Sequence, residues 1–174
     1  MLKILYPRIF ATSVTDIQIE LLRELGIKGI LFDLDNTIVS RDSNQFPPEV
    51  LEYLNKLRLQ GFKLGIVSNN GRRRVSSIAG LLEIPAVHRA VKPWSRSFRR
   101  ALKMLGTSAC ETALVGDQIF TDILGGNLAG LHTILVVPLE GSDFWGSRLI
   151  SRPLEKLVLA RLHKYTEVLN EKRD

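Results

Sequence analysis

Two carboxylates, Asp33 and Asp35, stand with one residue between them at the close of the apolar run 30–32, and Asn36 and Thr37 follow directly. In extended backbone alternate side chains share a side, so both acids can converge on one cation, one phosphate, or both. Such close carboxylates repel unless a positive charge lies between them, and a hard cation with oxygen ligands, such as Mg²⁺, relieves that repulsion. One aspartate can then attack phosphorus while the other carries the proton. Three similar endings follow. Ser68, Asn69 and Asn70 close the run 62–67, Lys92 and Pro93 close the run 86–91, and Asp117, with Asp122 five residues on, closes the run 112–116. A polar turn, a solvated lysine or a capping aspartate accounts for any one of these. Taken together they supply a nucleophile, a proton carrier, neutral hydrogen-bonding groups, a fixed cation and further acids.

The elements between these endings must bring them to one place. After an irregular start through Pro7, Thr15 reads as the cap of a helix, with Gln18 reaching back and Ile17, Leu21, Leu22 and Leu25 along one face up to Gly26. The run 30–32 is a first strand. Pro48 then opens a helix with Val50, Leu51, Leu54 and Leu57 at helical spacing. The run 62–67 is a second strand, and Val75, Ile78, Ala79 and Leu82 mark the helix after it. The weaker strand 86–91 precedes a helix capped by Ser95, with Phe98, Ala101, Leu102 and Leu105 facing inward until Gly106. Residues 112–116 form a fourth strand, 123–129 a glycine-rich helical segment, and 133–137 a fifth strand closed by Pro138. This alternation predicts an α/β fold of three layers: a five-stranded parallel sheet, helices on both faces and right-handed crossovers. Ligands of such sheets sit beyond the carboxyl ends of the strands, where Asp33, Ser68, Lys92 and Asp117 all fall. The 174 residues suit a single domain, its core spanning about 15–138 and a loop and amphipathic helix occupying 139–174.

In this order the four motifs resemble those of the haloacid-dehalogenase superfamily of phosphotransferases, over about residues 29–138. Within it, the leader 5–16, the run Gly26, Ile27, Lys28, Gly29, the run Leu34, Asp35, Asn36, Thr37 and the stretch 121–127 are similar to YqeG-type phosphatases. Those are relatives of the mitochondrial phosphatidylglycerophosphatases. The resemblance implies a Rossmann-like core and a role for each residue. Asp33 becomes the nucleophile that forms an aspartyl-phosphate, and Asp35 the general acid and later the base. Mg²⁺ is held by a carboxylate oxygen of Asp33, the main-chain carbonyl of Asp35, and Asp117. Ser68, the Asn69 amide and Lys92 bind the phosphoryl oxygens. Thr37 and Asp122 stand behind these, Asp122 with a metal-bound water or Lys92 as partner. Many superfamily members carry a cap domain, but the stretches 37–48 and 70–92 are too short for a large one. An open site admits large substrates: a lipid head group, a nucleic-acid end or a phosphoprotein.

The net charge of +6 and pI near 9.7 favour anionic partners. Cys110 is the only cysteine, which excludes an intrachain disulfide and a cysteine metal cluster and fits a reducing compartment. The first ten residues, broken by Pro7, do not form a secretory apolar region, and no run approaches the ~18 apolar residues of a membrane span. A cytoplasmic or membrane-peripheral protein is expected. Arg72, Arg73 and Arg74, and the basic stretch 92–100, read either as cations that gather anionic substrate at the mouth or as solvated helix faces. Near the C-terminus, Pro153 opens a helix with Leu154, Leu157, Val158, Leu162, Tyr165 and Leu169 on one face and five cations around it, a pattern that packs on its own domain or lies on an anionic bilayer. Phosphatidylglycerophosphate is the leading expected substrate. The alternatives are a nucleotide or nucleic-acid-end phosphatase and a basic RNA- or ribosome-binding protein on the same fold. A receiver-like signalling module fits less well, since Asp35 would hasten hydrolysis of the phosphorylated aspartate.

Overall fold

The computed structural model describes residues 2–139. Of the loop and helix expected over 139–174, all but residue 139, with Pro153 and the apolar face that follows it, lies outside the described residues. Six parallel strands form one sheet in the order β1, β6, β5, β2, β3, β4. They are β1 (Ile9–Ala11), β2 (Gly29–Phe32), β3 (Lys63–Val67), β4 (Ala86–Val87), β5 (Thr112–Gly116) and β6 (His132–Val136). The helices are α1 (Ile19–Glu24), α2 (Pro48–Leu59), α3 (Arg72–Leu82), α4 (Ser95–Leu105) and α5 (Leu124–Leu128). No large domain is inserted among the described residues, and no helix there is long and apolar enough to cross a membrane.

The central strand is β2, buried on both faces, with Phe32 opposite Ile66 on one side and Val115 on the other. Its side chains alternate as the period of two demands. Ile30 and Phe32 join the large cluster formed with α1, α2 and α3, whereas Leu31 packs with Val67, Leu114 and Phe98 on the α4 face. The chain runs from β2 outward through β3 to β4, then crosses to β5 on the other side of β2. Loops after β2 and β5 therefore diverge from adjacent strand ends, the crevice in which α/β sheets bind ligands.

Four expectations need correction. The sheet has six strands rather than five: no strand is expected at 9–11, between the irregular start through Pro7 and the first helix, yet β1 forms there, held by its pairing of Ile9 with Ile134 and by the Arg8 N–H on the Thr133 carbonyl at 3.0 Å. Thr15 caps no α-helix. It lies within the tight turn Val14–Asp16, and α1 starts only at Ile19, after Gln18. The strand read over 86–91 stops at Val87, because Arg89 and Val91 adopt positive φ (48° and 51°), which an extended strand cannot accommodate. Ser95 is the first residue of α4 rather than its cap, Trp94 holding the cap position without a side-chain hydrogen bond.

Candidate active site

Asp33 is the first residue beyond β2, and its N–H still donates to the Val115 carbonyl (2.8 Å), which fixes it beside the end of β5. Its carboxylate is buried. The loop after β4 brings Lys92 to it: Lys92 Nζ donates to Asp33 Oδ1 at 2.6 Å and to Asp122 Oδ1 at 2.5 Å. All three side chains are at least nine-tenths buried. Asp122 rides on a π-helical turn, Ile119–Ile123, where its second oxygen accepts the Gln118 N–H at 3.1 Å. Single π turns occur frequently at functional sites. Carboxylate oxygens of Asp33, Asp117 and Asp122 lie within 4.8 Å of one another.

The second motif is laced to the lysine loop. Ser68, buried, donates its N–H to the Val87 carbonyl and accepts the Ala90 N–H on its own carbonyl, while its hydroxyl accepts the Asn70 N–H at 3.1 Å. The Asn69 side-chain oxygen accepts the Lys92 N–H at 2.7 Å. Thr37, buried, donates its hydroxyl to Asp117 at 3.3 Å. The Lys92–Pro93 peptide is cis.

The electrostatics of the cluster follow from crowding acids in a dry place. Burial pushes the Asp33 carboxyl up to about 6, against the pull of the Lys92 ammonium, and the Asp122 carboxylate adds to the rise. Burial, then Asp33 and Asp122, raise Asp117 well above the ordinary carboxylate range. Lys92 behaves oppositely. Burial alone would weaken its hold on the proton, yet Asp122 and Asp33 outweigh burial and keep it above its ordinary value. One cation thus faces three acids, two of which resist ionising. A divalent cation among Asp33, Asp117 and Asp122 would replace those protons, and an all-oxygen set of this kind suits Mg²⁺.

Asp35 is placed differently from the other acids. Its Oδ1 accepts from Arg74 Nε at 2.8 Å and its Oδ2 from Asn70 Nδ2 at 2.9 Å. Its carboxylate is thus absent from the trio around the metal position; the expectation for Asp35 concerned its main-chain carbonyl. Arg74 is the second departure. Beside Arg72 and Arg73 it reads as substrate-gathering or solvated charge, but its guanidinium points inward to Asp35 and to the connection 40–44. The available signal was its spacing: Arg74 stands four residues before buried Ile78, on the inward face of α3. Asn70 carried no signal beyond its place in a polar turn.

Two glycines permit the close approaches. A Cβ at Gly116 would overlap the carboxyl group of Asp122, and one at Gly125 would come within 2.9 Å of Pro93 Cα and 2.8 Å of the Phe98 ring. Side chains at these positions would push the acid or the lysine loop out of place.

The family profile described as "Mitochondrial PGP phosphatase" matches residues 2–140. The chain is 38% identical over 162 residues to "Probable phosphatase YqeG" of Bacillus subtilis, covering 93% of this chain and 94% of that protein. It is 26% identical to "Phosphatidylglycerophosphate phosphatase 1, chloroplastic/mitochondrial" of Arabidopsis thaliana, across 91% of this chain and 47% of that one. Among solved structures, the HAD phosphatase from Thermococcus onnurineus shares the fold with a TM-score of 0.57 and 21% identity, over 68% of this chain and 90% of that chain. A six-stranded parallel sheet with no large cap among the described residues, an aspartate cluster suited to Mg²⁺ and these matches lead to one conclusion: the chain belongs to the mitochondrial PGP phosphatase family, within the haloacid-dehalogenase phosphatases that act through an aspartyl-phosphate.

Proposed function

We propose that the protein removes the terminal phosphate of phosphatidylglycerophosphate at an anionic membrane surface, with Asp33 as nucleophile and Asp35 as proton carrier. The observation that carries the catalytic part is the buried contact of Lys92 with Asp33, which holds one carboxylate oxygen and leaves the other for phosphorus. Asp33 attacks phosphorus as the P–O bond to the leaving group breaks, and Asp35 delivers a proton to the departing oxygen. Asp35 then takes a proton from water, which attacks the aspartyl-phosphate and releases inorganic phosphate. The Ser68 hydroxyl and Lys92 ammonium stabilise the phosphoryl oxygens. Mg²⁺ held by Asp33, Asp117 and Asp122 would neutralise charge between an anionic nucleophile and an anionic phosphate.

The lipid substrate is supported by the rim of the site and by the names of the relatives. Val91 and Trp94, on either side of Lys92 and Pro93, are 61% and 70% exposed. Exposed Arg72 and Arg73 stand at the start of α3, and Arg96, Arg99 and Arg100 on α4. Apolar tips among cations match the interface of an anionic bilayer. The test is Mg²⁺-dependent phosphate release from phosphatidylglycerophosphate in mixed micelles, nucleoside monophosphates and 5′-phosphorylated oligonucleotides, with Asp33→Asn as control. Turnover of the lipid, abolished in a folded Asp33→Asn variant, is expected; preference for nucleotides or oligonucleotides would replace the substrate, and an active Asp33→Asn variant would remove the nucleophile.

A further inference from the structure

The guanidinium of Arg74 makes four hydrogen bonds, and none reaches the Lys92 cluster. Nε donates to Asp35 Oδ1 (2.8 Å), Nη1 to Asn44 Oδ1 (2.7 Å), and Nη2 to the carbonyls of Ser40 and Ser43 (3.0 Å each). Its side chain is 21% exposed and that of Asp35 16%. One planar fork therefore joins the first turn of α3 to the acid at the end of β2 and to the connection 40–44, which leads from that acid into α2. Surface arginines that merely collect substrate do not spend their donors on main-chain carbonyls of a neighbouring loop.

With Asp35 as the proton carrier, the reading on which this inference depends, we propose that Arg74 is the positioning residue for proton transfer to the leaving group. The hydrogen-bond inventory carries the assignment to a single atom. A guanidinium has donors only and is not deprotonated in proteins, so Oδ1 of Asp35 must accept throughout the cycle. The transferable proton therefore sits on Oδ2. That oxygen is also held by Asn70 Nδ2, a neutral donor from which a protonated Oδ2 still accepts on its remaining lone pair. Asn70 remains anchored in the turn, because its own Oδ1 accepts the Gly71 N–H at 2.7 Å. In the first displacement the Asp33–phosphorus bond forms, the bond to the leaving oxygen breaks, and the proton passes from Oδ2 to that oxygen. Water returns a proton to the same atom in the second. Arg74 keeps the carboxyl plane fixed throughout, and the same fork ties it to the connection 40–44.

The test uses two phosphomonoesters that differ in their need for an acid. The phenolate of p-nitrophenyl phosphate departs without a proton, whereas the alkoxide of glycerol 3-phosphate requires one. The ratio kcat/KM reports only steps up to departure of the leaving group, so breakdown of the aspartyl-phosphate does not enter it. General acid catalysis contributes roughly 10²–10⁴-fold, so Arg74→Ala is expected to lose ~10²-fold in kcat/KM on the alkyl ester and less than ~10-fold on the aryl ester. Asp35→Asn should show the same selectivity with a larger loss. Equal losses on both esters for Arg74→Ala, with selectivity retained by Asp35→Asn, would overturn the positioning role and leave the proton carrier in place. Equal losses for Asp35→Asn would overturn both. Should Arg74→Ala fail to fold, Arg74→Lys, which keeps the stem and charge but loses the fork, carries the same comparison.

Discussion

Lys92 and Asp122 define the site at the residue scale, and Gly116 makes their meeting possible. Asp122 occupies the space where any side chain at position 116 would start, and the overlapping atoms belong to a buried carboxyl group held by Lys92 and by the Gln118 N–H, with little room to retreat. Gly116→Ala is therefore expected to displace Asp122, one of the three acids around the metal position, and weaken Mg²⁺ binding by at least the ~10–100-fold seen when mere partners of metal ligands are disturbed. The Mg²⁺ concentration giving half-maximal phosphatase activity measures this, and an unchanged value would show that Asp122 can move without consequence. The endings 33–37, 68–70, 92–93 and 117–122 were legible as polar residues closing apolar runs. The inward turn of Arg74 and the two oxygens of Asp35 were not, because three consecutive arginines at a helix start read equally well as solvated charge until the connection 40–44 is folded against them.

At the scale of the element, α4 holds the lysine loop in place. Phe98 is fully buried between the sheet face of Leu31, Val67 and Leu114 and the close approach of Gly125. Truncating such a side chain costs about 3–5 kcal/mol, so Phe98→Ala should lower stability by that amount in urea unfolding and loosen the Pro93 loop with it. Leu81, on α3 but 67% exposed, is the contrast: Leu81→Ala should fall within about 0.5 kcal/mol of the wild type. Helical spacing revealed both residues' elements, since α2, α3 and α4 bury the positions at three- and four-residue intervals. Short elements were less legible. β1 is three residues long and exists through its pairing with β6, and the strand read over 86–91 ends early because the chain must turn to deliver Lys92. Neither has a local pattern long enough to outweigh that tertiary demand.

For the whole molecule, the crowded acids couple stability to pH and metal. Asp33 has an ordinary carboxyl value of 3.8 and is raised to about 6 by burial, so the folded protein binds this proton more tightly than the unfolded chain. In the metal-free protein its contribution is therefore lost as pH rises between those values, and the raised carboxyl of Asp117 acts in the same direction. Below about 6 Mg²⁺ must displace a proton; above it the carboxylate is ready. Saturating Mg²⁺ should then raise the melting temperature more at about pH 7.5 than at about pH 5, with a gain of about 2.7 kcal/mol at a hundredfold excess over Kd. Differential scanning fluorimetry with and without Mg²⁺ checks this, and equal shifts at both pH values would count against the carboxylate cluster as the metal site.

The sequence by itself determined the succession of the longer strands and helices, the parallel α/β architecture, the lack of a large cap among the described residues and the set of acids and cation at strand ends. Those properties are local or nearly so: apolar period, turn chemistry and connection length. Only the tertiary structure decided which acid faces which cation. Asp33 and Asp122 share Lys92 because β2, the lysine loop and the π-helical turn after β5 meet at one sheet edge, whereas Asp35, two residues from Asp33, turns to Arg74 and Asn70. Partner choice among like residues is set by backbone direction and by the space a glycine leaves open, and both depend on chain segments far apart in sequence.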